Sequence, residues 1–199
     1  LLRAVLNKEY GLLEKGHVMT HVTVVEIPSY DKLLVFSDAA VCPRPTDEQF
    51  KAILGYVLGV CRSLGAESPK VALIHCTEKV SEKFPHTLSY ESMKEMARNG
   101  EYGDYCVDGP MDVKTACDSD SGAIKGISSP VVGNADALIF PNIESGNVFY
   151  KTLTLFAKAE TAGMLCGTTA PIVVASRADS GESKFNSLAL ACLADKVNK

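Results

Sequence analysis

Two spacings of apolar residues alternate along this chain. Residues 18–27 and 32–37 are rich in Val, Ile and Leu. Pro28-Ser29-Tyr30-Asp31 lies between them, which predicts two strands joined by a turn. After Pro43-Arg44-Pro45 the spacing changes. Thr46-Asp47-Glu48-Gln49 predicts a capping box, in which the Thr46 hydroxyl bonds the Gln49 amide and the Gln49 side chain reaches back. Phe50, Ile53, Leu54, Val57, Leu58, Cys61 and Leu64 follow at helical spacing, and Gly65 supplies the stop. The same reasoning predicts strands at 70–76, 105–107, 137–140 and 171–175, and helices at 88–99, 113–123, 146–159 and 181–197. Leu1, Leu2, Val5 and Leu6 share one stripe of a helix over 1–10 ending near Gly11, so the chain is expected to begin inside a helix, as a fragment. Strands alternating with helices predict an α/β fold: a mainly parallel sheet with helices on both faces. In such sheets function gathers in loops beyond the C-terminal ends of strands.

Composition narrows this only a little. The 199 residues carry a formal net charge of -4, which argues against a general nucleic-acid or membrane-surface binder but leaves room for a local basic pocket. Seven cysteines include no C-x-x-C pair, so neither a zinc ribbon nor a redox pair is suggested, and reduced thiols in a reducing compartment are expected. No run of about 18 apolar residues predicts a membrane-spanning helix. His17, His21, His75 and His86 show no ligand spacing with the cysteines, so no metal is expected. Ser176 lacks a G-x-S-x-G elbow, and neither a P-loop nor a G-x-G-x-x-G fingerprint follows a strand.

Four places can carry chemistry. Ser176-Arg177-Ala178-Asp179-Ser180 leaves the predicted 171–175 strand and leads into a helix. A helix N-terminus favours anions, and an arginine fork matches phosphate oxygens. The same residues also suit a plain helix start, with Asp179 or Ser180 as cap and Arg177 in a surface ion pair. Gly146 and Asn147 stand at a predicted helix start where backbone amides can line a cleft, and Lys151 lies one turn on; an ordinary loop with a snorkelling lysine fits equally. Asp38 ends an apolar strand and can orient a catalytic group or close a turn. Arg3 stands out on an otherwise apolar segment.

Taken in order, these segments resemble the phosphate acetyltransferase and phosphate butyryltransferase family, closer to the butyryl branch. The matching pieces are Leu2-Arg3-Ala4-Val5-Leu6-Asn7, Ser37-Asp38-Ala39-Ala40, Pro69-Lys70-Val71-Ala72 and Val107-Asp108-Gly109-Pro110. Ser129-Pro130-Val131-Val132-Gly133-Asn134-Ala135-Asp136, residues 141–151 and residues 171–180 complete the set. The resemblance covers essentially the whole chain.

It implies the reaction acyl-CoA + phosphate ⇌ acyl phosphate + CoA, on butyryl or branched short chains, by direct transfer in a ternary complex. It also implies a cytoplasmic homodimer or larger oligomer. CoA and phosphate are the expected partners, with no permanently bound cofactor, no nucleic acid and no membrane. The implied fold has two α/β domains similar to isopropylmalate dehydrogenase. Residues 17–164 would form the second domain, and 1–16 with 165–199 would be remnants of a first domain whose N-terminal part is missing.

By the same resemblance Ser176 contacts the reacting thioester region, Arg177 binds the phosphoryl or carbonyl oxygen, and Arg3 belongs to the phosphate site. Asp38, Gly146, Asn147, Lys151, Asp179 and Ser180 complete the expected substrate-binding set. The acetyl branch places an aspartate, proposed as base for the CoA thiol, where this chain has Ser183. That leaves the base open between Asp179, Glu182 and no dedicated group. Two other readings stand beside the transferase. One is a non-catalytic acyl-CoA or acyl-phosphate sensing domain, and the other is a fold-related NAD-dependent dehydrogenase.

Overall fold

The computed structural model describes residues 2–7, 9–13, 15–176 and 179–194. Its elements, in chain order, begin with a short helix Leu2–Val5 (α1), strands Thr20–Glu26 (β1) and Leu34–Ser37 (β2), and helix Asp47–Ser63 (α2). Strand Lys70–Ile74 (β3), helix His86–Arg98 (α3), strand Cys106–Met111 (β4), and helices Val113–Cys117 (α4) and Ser119–Lys125 (α5) follow. The last are strand Ala137–Ile139 (β5), helix Ile143–Phe156 (α6), strand Glu160–Cys166 (β6) and helix Gly181–Leu193 (α7).

Six strands form one sheet in the order β4-β3-β5-β2-β1-β6. β4, β3, β5 and β2 run parallel, and β1 is reversed, antiparallel to both β2 and β6. Strand residues therefore point alternately to two faces. Val22, Val24, Val35, Val71, Leu73, Ala137 and Ile139 meet α2, α3 and α7 in one core. Val25, Leu34, Phe36, Ala72, Ile74 and Leu138 meet α4 and α6 in the other. Helices on both faces of a mainly parallel sheet are what the sequence predicts.

α2 forms as read. The Thr46 side chain accepts from the Gln49 amide (3.3 Å), the Gln49 side chain accepts from the Thr46 amide (2.9 Å), and Phe50, Ile53, Leu54, Val57 and Leu58 are buried. Other expectations need correcting. The helix expected over 1–10 stops at Val5, because the Asn7 carboxamide oxygen draws the amides of Glu9 (2.8 Å) and Tyr10 (3.2 Å) into a turn. The helix expected over 113–123 is two helices, divided where Asp118 leaves helical geometry to cap α5.

The strand expected at 171–175 does not form. Pro171 lacks an N–H, and only Ile172 bridges, accepting from the Leu165 amide (2.8 Å). Ile172 and Val174 instead pack with Val5, Met19 and Leu165. The edge place belongs to β6, which the sequence reading missed. α7 covers that edge: the Ser187 hydroxyl accepts from the Gly163 amide (3.0 Å), and Leu190 and Ala194 enter the core beneath α2. No helix among the described residues is long and apolar enough to cross a membrane.

Candidate functional site

The sheet carries the floor of a cleft of about 340 Å³ on the face opposite α2. On that face β1 presents His21 and Thr23, and β6 presents Thr161 and Gly163.

One wall begins where β2 ends. The buried Asp38 accepts five hydrogen bonds: from the Thr20 hydroxyl (2.7 Å) and the amides of His21 (2.9 Å), Ala40 (2.6 Å), Val41 (2.8 Å) and Cys42 (3.2 Å). These wrap residues 38–42 around one carboxylate and present Ala39 and Ala40 to the cleft. Asp38, expected to bind substrate, has its oxygens directed at the protein and builds the wall.

The second wall is α6. Asn142 caps it by accepting from the Ser145 amide (2.9 Å), so the helix starts at Ile143 rather than at Gly146. The Gly146 amide is bonded within the helix, to Asn142 O (3.3 Å), and is not a free donor as expected. Glycine serves contact here: a Cβ would lie 2.1 Å from Asp38 O, so its absence lets the helix reach the loop. Asn147 Nδ2 then donates to Ala39 O (3.1 Å). Tyr150 and Lys151 line the cleft one turn later, with the Lys151 ammonium 4.6 Å from the Tyr150 ring centre.

The third wall is built by Val174, Ala175, Ser176 and Asp179. Asp179 Oδ2 accepts from the Ser176 amide (2.6 Å), and the Asp179 amide donates to Ser176 O (3.1 Å). Asp179 Oδ1 accepts from the Tyr150 hydroxyl (2.7 Å), tying this segment to α6. Burial pushes the Tyr150 phenol up to about 12, with the Asp179 contact adding to the rise, so the phenol stays a donor at neutral pH. Ser180 is the cap of α7 and accepts from the Ser183 amide (3.0 Å), the helix-start alternative for that residue.

Of the predicted site residues, Asn147, Lys151, Ser176 and Asp179 line one cleft. Arg3 is exposed on α1 and is not among the lining residues. Arg177 lies outside the described residues. Ser183 is buried and accepts from the Thr161 hydroxyl (3.3 Å), while Glu182 is exposed in the first turn of α7.

His21 and Tyr150 were not singled out from sequence. The signal for His21 was a polar residue inside an apolar strand, and for Tyr150 its place in the 141–151 run. His21 Nδ1 lies 3.2 Å from the Thr23 hydroxyl. Burial pushes its pKa below the ordinary histidine value, while the charges of Asp38 and Asp179 pull the other way. Among the described residues no cluster of three or more His, Cys, Asp or Glu is placed to hold a metal ion. The cleft thus joins small apolar walls to a hydroxyl, a carboxamide, an ammonium and an imidazole.

A family model described as phosphate acetyl/butaryl transferase matches residues 1–192. The chain belongs to that family. A phosphate butyryltransferase of Clostridium acetobutylicum is 42% identical over 192 residues, covering 96% of this chain and 64% of its own length. A phosphate acetyltransferase of Thermotoga maritima is 38% identical over 193 residues, covering 97% of this chain and 65% of its own. Among solved structures, a branched-chain phosphotransacylase from Enterococcus faecalis superposes with a TM-score of 0.85 at 34% identity, covering 98% of this chain and 69% of its own. The chain therefore spans slightly less than two thirds of the curated phosphate acyltransferase relatives it matches.

Proposed function

We propose that the protein carrying this chain is a phosphate acyltransferase that interconverts acyl-CoA plus phosphate with acyl phosphate plus CoA. The observation that carries this reading is the convergence of Ser176, Asn147 and Lys151, from separate sequence runs, on one cleft with small apolar walls. Ala39, Ala40 and Val174 leave room for a short acyl chain, which favours butyryl or branched substrates.

In a ternary complex the CoA thiolate attacks the acyl-phosphate carbonyl and phosphate departs. Negative charge gathers on the carbonyl oxygen, and Ser176, which lines the cleft, supplies a hydroxyl to donate to it, a contribution of about 3–4 kcal/mol for a well-placed donor. Lys151 supplies a cation for the phosphate. Arg177, two residues before Asp179 in the sequence, completes the phosphate site in this reading, whereas Arg3 stays outside the lining of the cleft. Holding both reactants in one cleft supplies much of the remaining acceleration.

The same reading makes the protein a cytoplasmic homo-oligomer with CoA as substrate and no resident cofactor. It also assigns 17–164 to one domain and 1–16 with 165–199 to another. Limited proteolysis of the full-length protein tests those boundaries, and sedimentation tests the oligomer. The decisive assay is phosphate-dependent thiol release by the full-length protein from acetyl-, propionyl-, butyryl- and isobutyryl-CoA. Fastest release is expected with a four-carbon substrate. CoA binding without phosphate-dependent release with any of the four sinks the reading.

A further inference from the structure

The cleft holds a proton acceptor that neither the family assignment nor the sequence pattern names. His21 sits on β1, buried, with Nδ1 held by the Thr23 hydroxyl at 3.2 Å. Its other ring nitrogen has no hydrogen-bond partner among the described residues, and it is not among their sealed polar atoms, of which Tyr105 Oη is the one example. The opening in front of that nitrogen has a specific cause. Residue 163 on the neighbouring strand is glycine, and a Cβ there would stand 2.8 Å from His21 Nε2. Both His21 and Gly163 line the cleft.

The alternatives for this task are otherwise occupied. Asp179 holds the Tyr150 hydroxyl on one oxygen and the Ser176 amide on the other. Ser183 accepts from Thr161, and Glu182 is not among the lining residues.

We infer that His21 Nε2, opened to the cleft by Gly163, takes the proton of the CoA thiol. The inference rests on the transferase reading above and extends it. The S–H proton passes to Nε2 as sulfur bonds to the acyl carbonyl carbon. The carbonyl C–O bond to phosphate then breaks, phosphate leaves with the electron pair, and the imidazolium releases its proton to solvent. In the tautomer that this step uses, Nδ1–H donates to the Thr23 hydroxyl, which orients the ring and leaves the lone pair on Nε2. The charged and titratable groups around the ring are Asp38 behind it, Asp179 on the third wall, and Tyr150 and Lys151 on α6. Burial outweighs the two carboxylates and keeps the imidazole neutral, hence able to accept a proton, at neutral pH.

The test uses the full-length protein with acyl phosphate and CoA. Wild-type kcat should fall on acidification through a pKa below the ordinary histidine value of 6.5. His21→Gln should lower kcat about a hundredfold or more, with KM for acyl phosphate changed by no more than about twofold, and should abolish that acid limb. Added imidazole should restore part of the rate to His21→Ala. A purely structural histidine would move neither the limb nor the rescue. Wild-type kcat in His21→Gln, or an unchanged acid limb, overturns the inference.

Should replacement of His21 prevent folding, Gly163→Ala keeps the imidazole in the protein but sets a Cβ 2.8 Å from its Cε1 and Nε2, so the ring is displaced and its opening closed. The same loss of kcat is expected there, and wild-type kcat overturns the inference. A wild-type protein without phosphate-dependent thiol release overturns the transferase reading and this inference with it. An active wild type with an equally active His21→Gln overturns the inference alone.

Discussion

Two loops meet across the cleft, and each is organised by one aspartate. Around Asp38 the carboxylate is buried and accepts from five donors, four of them backbone amides. Around Asp179 the carboxylate is half-buried and, among the described residues, accepts from two, the Ser176 amide and the Tyr150 hydroxyl. A saturated buried network rigidifies and specifies a fold. A sparsely held loop can adjust to a ligand at small cost. The same side chain therefore serves the scaffold in one loop and the positioning of Ser176 in the other. Substitutions should separate the two, with stability lost at the first and turnover at the second.

The largest effect is expected at Asp38. Asp38→Ala leaves buried donors without an acceptor, and each such group costs about 1–3 kcal/mol. Partial relaxation of the loop makes about 3–5 kcal/mol the expected loss, read by urea unfolding. A loss below about 1 kcal/mol would mean the five bonds are replaceable by water, and the contrast between the loops would fail.

How much of this was legible beforehand follows the locality of each signal. The capping box and apolar stripe of α2 are written within about twenty residues of one another, and they form as read. β6 is different. Glu160-Thr161-Ala162-Gly163 has little alternation and few branched residues, and it becomes a strand because β1 offers one edge and α7 covers the other. The 171–175 run shows the converse: it has strand composition, but the edge it would take is occupied, so it lies over Met19 and Leu165 instead.

The site divides the same way. Asn147, Lys151, Ser176 and Asp179 were legible as parts of short runs. His21 was hidden because alternation assigns it to a face without saying that this face is open, and the opening depends on Gly163 in a strand far along the chain. Arg3 and Glu182 had suggestive chemistry, but their elements place them away from the lining of the cleft.

At the second loop the balance should reverse. Asp179→Ala removes the bonds to Ser176 and Tyr150 from a half-buried site, so unfolding free energy should change by no more than about 1 kcal/mol. Turnover should fall about tenfold or more as Ser176 loses its fixed place. Equal losses of stability and activity would place Asp179 with Asp38 in the scaffold. Unchanged turnover would show that the loop needs no tether.

The smallest effect isolates that tether. Tyr150→Phe deletes one hydroxyl and keeps the ring packed, so a stability loss of about 0.5 kcal/mol and a few-fold drop in turnover are expected. Combined with Asp179→Ala it should add almost nothing, because both changes break the same bond; full additivity would disprove the coupling.

The pH dependence has a definite sign. Burial first, and Asp179 second, raise the Tyr150 phenol from 10.0 to about 12, so the fold favours its protonated form. A raised folded-state pKa gives stability that is complete below the unfolded value of 10.0 and lost as pH climbs through about 12. The difference in unfolding free energy between wild type and Tyr150→Phe should therefore stay level below pH 10 and shrink above it. A difference that grows with alkaline pH would mean that the ionised phenol is the form the fold prefers, and that the bond to Asp179 does not form as drawn.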